Sequence, residues 1–170
     1  TEAGTVRGVE GAGTRAFLGV PFAAPPVGDL RWRAPQPVQA WQGVRDATRI
    51  GSDCTQALGR RSILGGGGGI VVGSEDCLYL NIYAPGGEAA EARPVMVYIP
   101  GGAFTVGAGA NYDPSKLARE QGRVVVTMNY RLGALGWLAH PGFQATGEGF
   151  GGNFGLMDQQ AALKWVHRNI

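Results

Sequence analysis

The chain has 170 residues, of which 44% are hydrophobic and 16% charged, and its formal net charge is +2. This length fits one domain with a sizeable apolar core. The small charge gives no electrostatic reason to expect nucleic acid or an anionic membrane as a partner. No apolar run approaches the ~20 residues that cross a bilayer.

The two ends of the sequence predict that it is part of a longer protein. Thr1 is not an initiator methionine, and no signal peptide follows it. Ile170 comes directly after a helical pattern, without a capping glycine or a tail. We therefore expect a fragment.

The first third of the chain predicts a hairpin followed by irregular structure. Residues 4–20 alternate weakly in hydrophobicity, and Gly11-Ala12-Gly13 separates Thr5-Val6 from Phe17-Leu18, which is typical of a small hairpin. Residues 21–37 are rich in proline, which excludes both helix interiors and regular strand ladders.

The remaining elements predict an α/β sheet. Alternation at period two predicts a strand over 78–83, and apolar runs predict buried strands over 95–99 and 124–128. A short helix is predicted over 114–120, between the last two strands, with Gly122 as its stop, and a longer helix is predicted over 156–166. The fold class is therefore a mixed α/β sheet whose antiparallel N-terminal portion is followed by a βαβα unit with a parallel crossover.

A turn with little side-chain cover follows the strand predicted over 95–99. Gly101 and Gly102 leave the backbone N–H groups there accessible, because glycine has no side chain. Accessible N–H groups can bind the negative oxygen of the tetrahedral intermediate in ester hydrolysis. The sequence thus predicts half of an active site, and the alternative is a plain tight turn at a sheet edge.

The two cysteines, Cys54 and Cys77, flank a polar segment that contains the glycine run 65–69. A disulfide between them would stabilise the fold by roughly 3 kcal/mol through loop entropy and would indicate an exported protein, secreted or periplasmic. The alternative is a pair of free thiols, as is usual in the cytosol. The glycine run predicts a mobile rim or a disordered surface loop.

Cofactor and metal sites are not predicted. Gly147, Gly149 and Gly152 match the Gly-x-Gly-x-x-Gly pattern of dinucleotide-binding proteins. That pattern requires a strand directly before it and an acidic residue about 20 positions later, whereas Asp158 is the only acid downstream. The run 65–69 lacks the Gly-Lys-Ser/Thr of a phosphate loop, and no His/Cys spacing indicates a metal.

Six segments in the same order resemble the type-B carboxylesterase family, the α/β-hydrolases that include bacterial para-nitrobenzyl esterases and the cholinesterases. They include Ser-Glu-Asp-Cys-Leu-Tyr-Leu-Asn-Ile at 74–82 and Asn-Tyr-Arg-Leu-Gly at 129–133. The full set is 17–26, 30–35, 74–82, 95–104, 129–133 and 152–170. The resemblance implies that residues 1–170 are the N-terminal portion of a single, incomplete carboxylesterase catalytic domain.

The family is known for a serine nucleophile on a Gly-x-Ser-x-Gly elbow, with an acid and then a histidine later in the chain. No serine of this chain (Ser52, Ser62, Ser74, Ser115) lies in that context. The resemblance therefore implies that the triad lies beyond Ile170. His140 and His167 are expected to be structural or solvated, since His140 lies in a loop and His167 at a helix end that favours a cation.

The resemblance assigns the oxyanion donors to the N–H groups of Gly102 and Ala103, with Gly101 giving the turn its freedom. Relatives carry His or Tyr where this chain has Pro100. Proline donates no hydrogen bond, so the expectation is a stiffer turn that lacks one orienting side chain. The implied reaction is acyl transfer from a small, uncharged carboxylic ester to serine and then to water.

Further family features concern the scaffold. The resemblance implies two buried ion pairs, Arg31 with Glu75 and Arg131 with Asp158, in which loss of one member costs ~3–5 kcal/mol. No aromatic residue lies between Cys54 and Cys77, which argues against choline esters, since cholinesterases bind their cation on an aromatic ring there.

A second interpretation keeps the scaffold without the chemistry. Cholinesterase-like adhesion proteins have this fold but lack the triad and bind partners instead, and a glycine turn is compatible with both. The partners expected for an esterase are its small ester substrate and the remainder of its own catalytic domain. The residue at the serine position of the elbow discriminates between the two interpretations.

Overall fold

The structure is a computed structural model that describes residues 1–59, 69–87, 92–146 and 152–170. These residues contain nine strands and three α-helices. The strands are β1 (Thr5–Arg7), β2 (Val9–Gly11), β3 (Thr14–Pro21), β4 (Val44–Asp46), β5 (Gln56–Leu58), β6 (Ile70–Val72), β7 (Tyr79–Pro85), β8 (Val95–Tyr98) and β9 (Val124–Met128). The helices are α1 (Ser115–Gln121), α2 (Gly133–Trp137) and α3 (Phe154–Asn169).

A five-stranded sheet in the order β2-β3-β7-β9-β8 forms the centre of the fold. The pairs from β2 to β9 are antiparallel, whereas β8 and β9 are parallel and α1 connects them. The predicted α/β class, with an antiparallel N-terminal portion followed by a parallel unit, is confirmed. Strands β5 and β6 form a separate two-stranded antiparallel sheet that the sequence did not predict.

The predicted hairpin turn is at the expected place. Of the two strands predicted to flank it, only the second, which contains Phe17-Leu18, forms the hairpin. Ala12 and Gly13 both have positive φ, 49° and 74°, as the two central residues of a type I′ hairpin turn require. The strand that pairs with β3 across this turn is β2. Thr5-Val6 instead lies in β1, which pairs in parallel with β4.

Helices cover both faces of the sheet because neighbouring residues of a strand point to opposite sides. On β9, Val126 packs in the cluster that contains Trp165 of α3, and Val125 packs in the cluster that contains Ala118 of α1. Helix α1 begins after Pro114 and ends at Gly122, whose left-handed φ of 60° stops the helix where the sequence predicted. No described helix is both long and apolar enough to cross a membrane.

The prediction of two buried strands is right for β9 and wrong for β8. Strand β9 lies between β7 and β8, and its residues are almost fully buried. Strand β8 is the edge of the sheet, and Val95 and Met96 are 40% and 39% exposed. Val97 packs against the core cluster, whereas Val95 and Met96 stay exposed at this edge, where no described strand pairs with β8.

Candidate active site

The glycine turn leaves the carboxyl end of β8 and reaches the protein surface. Gly102 has a φ of 136°, and a Cβ atom there would lie 1.8 Å from the carbonyl oxygen of Val106. A Cβ atom at Gly101 would meet open space. The strict requirement for glycine is therefore at Gly102, although the sequence analysis placed the conformational freedom of the turn at Gly101.

The next two residues of the turn are not glycines, yet their backbones are in the left-handed conformation. Ala103 has a φ of 51° and Phe104 a φ of 62°, conformations that cost about 1–3 kcal/mol each in an L-residue. The carbonyl oxygen of Gly102 closes the turn by accepting hydrogen bonds from the backbone N–H groups of Thr105 (3.0 Å) and Val106 (3.1 Å). The Thr105 hydroxyl donates a third bond to the same oxygen at 3.2 Å.

The backbone N–H groups of Gly102 and Ala103 have no hydrogen-bond acceptor among the described residues. Ala103 is exposed and Gly102 is partly exposed. Ala103 and Phe104 line an open cavity of about 350 Å³ between the turn and α2, which Trp137 and Leu138 line on the other side. Two backbone donors without an acceptor among the described residues thus lie in a surface turn, and Ala103, which carries the second of them, lines a cavity.

The start of the turn is fixed at Pro100. The buried hydroxyl of Tyr130 donates a hydrogen bond to the Pro100 carbonyl oxygen at 2.8 Å. Burial, and to a smaller extent the nearby Tyr98, raises the pKa of Tyr130. The hydroxyl therefore keeps the proton that it donates throughout the neutral pH range.

The end of the turn is fixed at Phe104. The backbone N–H of Gly133 donates to the Phe104 carbonyl oxygen at 2.7 Å. The Phe104 ring stacks on the ring of Trp137 with centroids 4.2 Å apart and planes tilted by 35°. The Trp137 indole N–H in turn donates to the carbonyl oxygen of Arg131 at 3.1 Å.

Arg131, in the segment after β9, and Asp158 of α3 form a buried ion pair. The guanidinium donates two hydrogen bonds to the carboxylate, at 2.8 and 2.7 Å, and the Arg131 backbone N–H donates a third at 3.0 Å. The two side chains are 3% and 0% exposed. Burial raises the pKa of Asp158, and the hydrogen bonds and charge of Arg131 act in the opposite direction.

The ion pair between Arg31 and Glu75 exists but is not buried. Two hydrogen bonds of 2.6 and 2.5 Å join the side chains, which are 42% and 24% exposed. The expectation of burial is wrong here because Arg31 directly follows the short 3-10 helix Gly28–Leu30 in the proline-rich surface segment.

The predicted disulfide between Cys54 and Cys77 is confirmed, and both residues are buried. Strands β5 and β6 lie within the loop that it closes. Most of the glycine run 65–69 lies outside the described residues, as do Gly147 and Gly149 of the Gly-x-Gly-x-x-Gly match.

The histidines and serines that the structure describes do not form a nucleophile and base. His140 and His167 are both exposed, and the His140 Nδ1 atom accepts a hydrogen bond from the Gly142 backbone N–H at 3.1 Å. The Ser115 hydroxyl donates to Asp113, and the Ser74 hydroxyl oxygen accepts from the Asp76 backbone N–H. Within the described ranges, no three potential ligands are grouped for a metal ion.

Three residues around the turn were missed by the sequence analysis. Tyr130 and Trp137 hold its two ends, and Gln56 holds the following segment by exchanging two hydrogen bonds with the backbone of Gly107, at 3.1 and 2.9 Å. Tyr130 lies inside the segment 129–133 that carries the family resemblance, and this could have indicated a role for it near the turn. Nothing in the sequence indicates that Gln56 contacts a glycine 51 positions later.

Several known proteins that are similar to this chain are esterases. The profile of the carboxylesterase family matches residues 1–170. The chain is 50% identical to fumonisin B1 esterase of Sphingopyxis macrogoltabida and 45% identical to para-nitrobenzyl esterase of Bacillus subtilis, over its whole length and over 31% and 34% of theirs. A solved structure of PNB esterase superposes with a TM-score of 0.86 at 43% identity, covering 99% of this chain and 34% of that one. The chain thus spans about a third of the length of these relatives. It belongs to the carboxylesterase family.

Proposed function

We propose that the chain is the N-terminal portion of the catalytic domain of a serine carboxylesterase, and that Gly101, Gly102 and Ala103 form its oxyanion-hole turn. The observation that carries the proposal is the pair of N–H groups at Gly102 and Ala103, which have no acceptor among the described residues; Ala103 also lines an open cavity. The turn bears two left-handed residues other than glycine, and a strained conformation of this kind is retained where surrounding contacts hold it and function uses it.

In this mechanism the turn acts on the carbonyl oxygen of the ester. Attack by a serine hydroxyl converts the carbonyl carbon into a tetrahedral centre and places a negative charge on that oxygen. The N–H groups of Gly102 and Ala103 donate to the charged oxygen more strongly than to the neutral carbonyl, which lowers the barrier. Collapse of the intermediate releases the alcohol, and water then hydrolyses the acyl-serine. The serine, its histidine base and the acid are assigned to sequence beyond this chain.

The remainder of the catalytic domain is the first partner that we propose. Strand β8 exposes apolar side chains and an unpaired backbone edge within the described residues, and such an edge pairs readily with another strand. A further strand on this edge would cover Val95 and Met96 and bring additional residues beside the glycine turn, which directly follows β8. Without it, we expect the 170-residue chain to be inactive and poorly soluble.

The substrate class that we propose is small, uncharged carboxylic esters. The absence of aromatic residues between Cys54 and Cys77 removes the ring on which a choline cation would be held. The relatives carry the names of several different esterases, so the particular ester is not transferred from any of them. The disulfide supports an oxidising compartment, and we propose that the protein is secreted or periplasmic.

Ester hydrolysis by the full-length protein, and by residues 1–170 alone, tests this proposal. We expect saturable hydrolysis of a nitrophenyl ester by the full-length protein and none by the shorter chain. A folded full-length protein without turnover would favour the non-catalytic, partner-binding alternative. Saturable hydrolysis by residues 1–170 would show that the nucleophile lies within them.

A further inference from the structure

We infer that Phe104 and Trp137 are positioning residues that hold the oxyanion turn in its donor geometry. The inference rests on the proposed function, since the position of the Ala103 N–H matters for rate only if that group binds the oxyanion. Neither ring is assigned a contact with the reacting atoms. Their proposed action is on the backbone directly before Phe104.

The first step is that Phe104 is attached at two points. Its carbonyl oxygen accepts the Gly133 N–H at 2.7 Å, and its ring lies on the Trp137 ring at 4.2 Å. Both attachments lead to the same short element, because Gly133 and Trp137 are the first and last residues of α2. Together they fix Phe104 at its side chain and at its carbonyl group, one residue after the Ala103 N–H donor.

The second step is that Trp137 is itself held from several sides. Its indole N–H bonds the Arg131 carbonyl oxygen, and its ring meets the edge of the Tyr130 ring at a centroid distance of 6.4 Å. Helix α3 approaches the indole so closely at Gly155 that a Cβ atom there would lie 2.8 Å from it. The ring that supports Phe104 is therefore part of the same assembly as the buried Arg131–Asp158 pair.

The third step is that the turn needs such support. Ala103 and Phe104 adopt left-handed backbone angles that an unrestrained chain would leave. Phe104 is also 51% exposed, which is unusual for a ring that serves only the core. A shift of about 1 Å in a catalytic group lowers the rate by about 10²-fold, so loss of the stack is expected to reduce turnover while the fold survives.

Four variants of the full-length enzyme test the inference. Phe104→Leu and Trp137→Leu remove one ring each, whereas Trp137→Phe keeps the stack and removes only the indole N–H. Trp41→Leu is the matched control, because Trp41 also donates its indole N–H to a backbone carbonyl, that of Thr5, and has no contact with the turn. The readouts are kcat, KM, the inhibition constant of a trifluoromethyl ketone, and thermal unfolding.

We expect both leucine variants to fold and to lose about 10-fold or more in kcat, with KM within about 2-fold of wild type. The adduct of the trifluoromethyl ketone places an oxyanion in the turn, so its inhibition constant should rise by a similar factor. Trp137→Phe should keep most of the turnover, and Trp41→Leu should match wild type.

Three results would overturn the inference while leaving the proposed function intact. The first is an unchanged kcat in folded leucine variants. The second is a change confined to KM, which would make the rings substrate contacts. The third is failure of both leucine variants to fold, which would make the rings purely structural. Absence of turnover in the folded wild-type protein would instead refute the proposed function, and the inference with it.

Discussion

The Tyr130 hydroxyl donates a hydrogen bond to the Pro100 carbonyl oxygen at 2.8 Å, directly before the glycine turn. At the other end of the turn, the Gly133 N–H donates to the Phe104 carbonyl oxygen. Tyr130 and Gly133 both lie in the segment that follows β9, so one short segment holds both ends of the turn. This arrangement supplies an anchor that does not depend on a His or Tyr side chain at position 100.

Replacement of Tyr130 by Phe should loosen the turn without creating a cavity. The variant leaves a buried carbonyl oxygen without its donor, which costs about 1–3 kcal/mol of the free energy of unfolding. Urea unfolding of the full-length variant measures the loss, and ester turnover should fall with it because the turn loses one of its two anchors. An unchanged stability would mean that water replaces the hydroxyl at Pro100.

Alanine at Gly102 should be far more damaging than alanine at Gly101. At Gly102 the added Cβ atom overlaps the Val106 carbonyl oxygen and the φ of 136° disfavours any side chain, whereas the space beside Gly101 is open. We expect Gly102→Ala to lower kcat by about 10²-fold or more, as loss of an oxyanion donor does, and to unfold at a lower temperature than Gly101→Ala. Equal stability of the two variants would contradict the geometry of the turn.

The sheet was predictable wherever local pattern and tertiary environment agree. Strand β9 is apolar except for Thr127 and lies between two strands, and Gly122 ends α1 because left-handed backbone is inexpensive for glycine. Helix α2 was not predictable, since its five residues include two glycines and have low intrinsic helix propensity. The exposure of β8 was also not predictable, because an apolar run does not reveal whether a neighbouring strand covers it.

The site was predictable only as far as its backbone. The pair Gly101-Gly102 and the family resemblance located the turn, but the side chains that fix it come from distant parts of the sequence. Tyr130 contacts a residue 30 positions earlier, and Trp137 contacts one 33 positions earlier. Such contacts depend on the parallel pairing of β8 with β9, which brings the carboxyl ends of both strands together.

The buried ion pair should be costly to break from either side. Asp158→Asn leaves the Arg131 guanidinium buried without a countercharge, and we expect a loss of about 3–5 kcal/mol in the free energy of unfolding. The exposed Arg31–Glu75 pair provides the control, since Glu75→Gln should have a far smaller effect in solvent. Denaturant unfolding of both variants measures these losses. Equal losses in the free energy of unfolding for Asp158→Asn and Glu75→Gln would contradict this account.

The disulfide should contribute measurably to stability. Its loop spans 23 positions from Cys54 to Cys77, and closing a loop of this size stabilises a fold by roughly 3 kcal/mol. The double variant with serine at both positions should therefore unfold at lower denaturant concentration than the oxidised protein. Thiol titration of the unfolded, unreduced protein should detect neither cysteine, and two reactive thiols would exclude both the bond and the proposed oxidising compartment.

Acid should remove a stabilising contribution of Asp113 at the start of α1. Its carboxylate accepts hydrogen bonds from the Ser115 hydroxyl (2.5 Å) and the Ser115 backbone N–H (2.9 Å), and these bonds hold the pKa of Asp113 below its ordinary value. Because the folded state favours the ionised form, this stabilisation is complete above the unfolded pKa of about 4 and is lost as the pH falls through the lower, folded pKa.

Asp113→Asn isolates the charge, since asparagine retains an oxygen that can accept from the Ser115 N–H. The difference in Tm between wild type and variant should be constant from about pH 7 to pH 5 and should shrink below about pH 4, where the wild-type carboxylate becomes protonated. Ser115→Ala removes the hydroxyl hydrogen bond, which is the largest cause of the lowered pKa of Asp113, and should move this loss to higher pH. A Tm difference that does not change down to about pH 2 would show that the carboxylate charge has no part in holding α1.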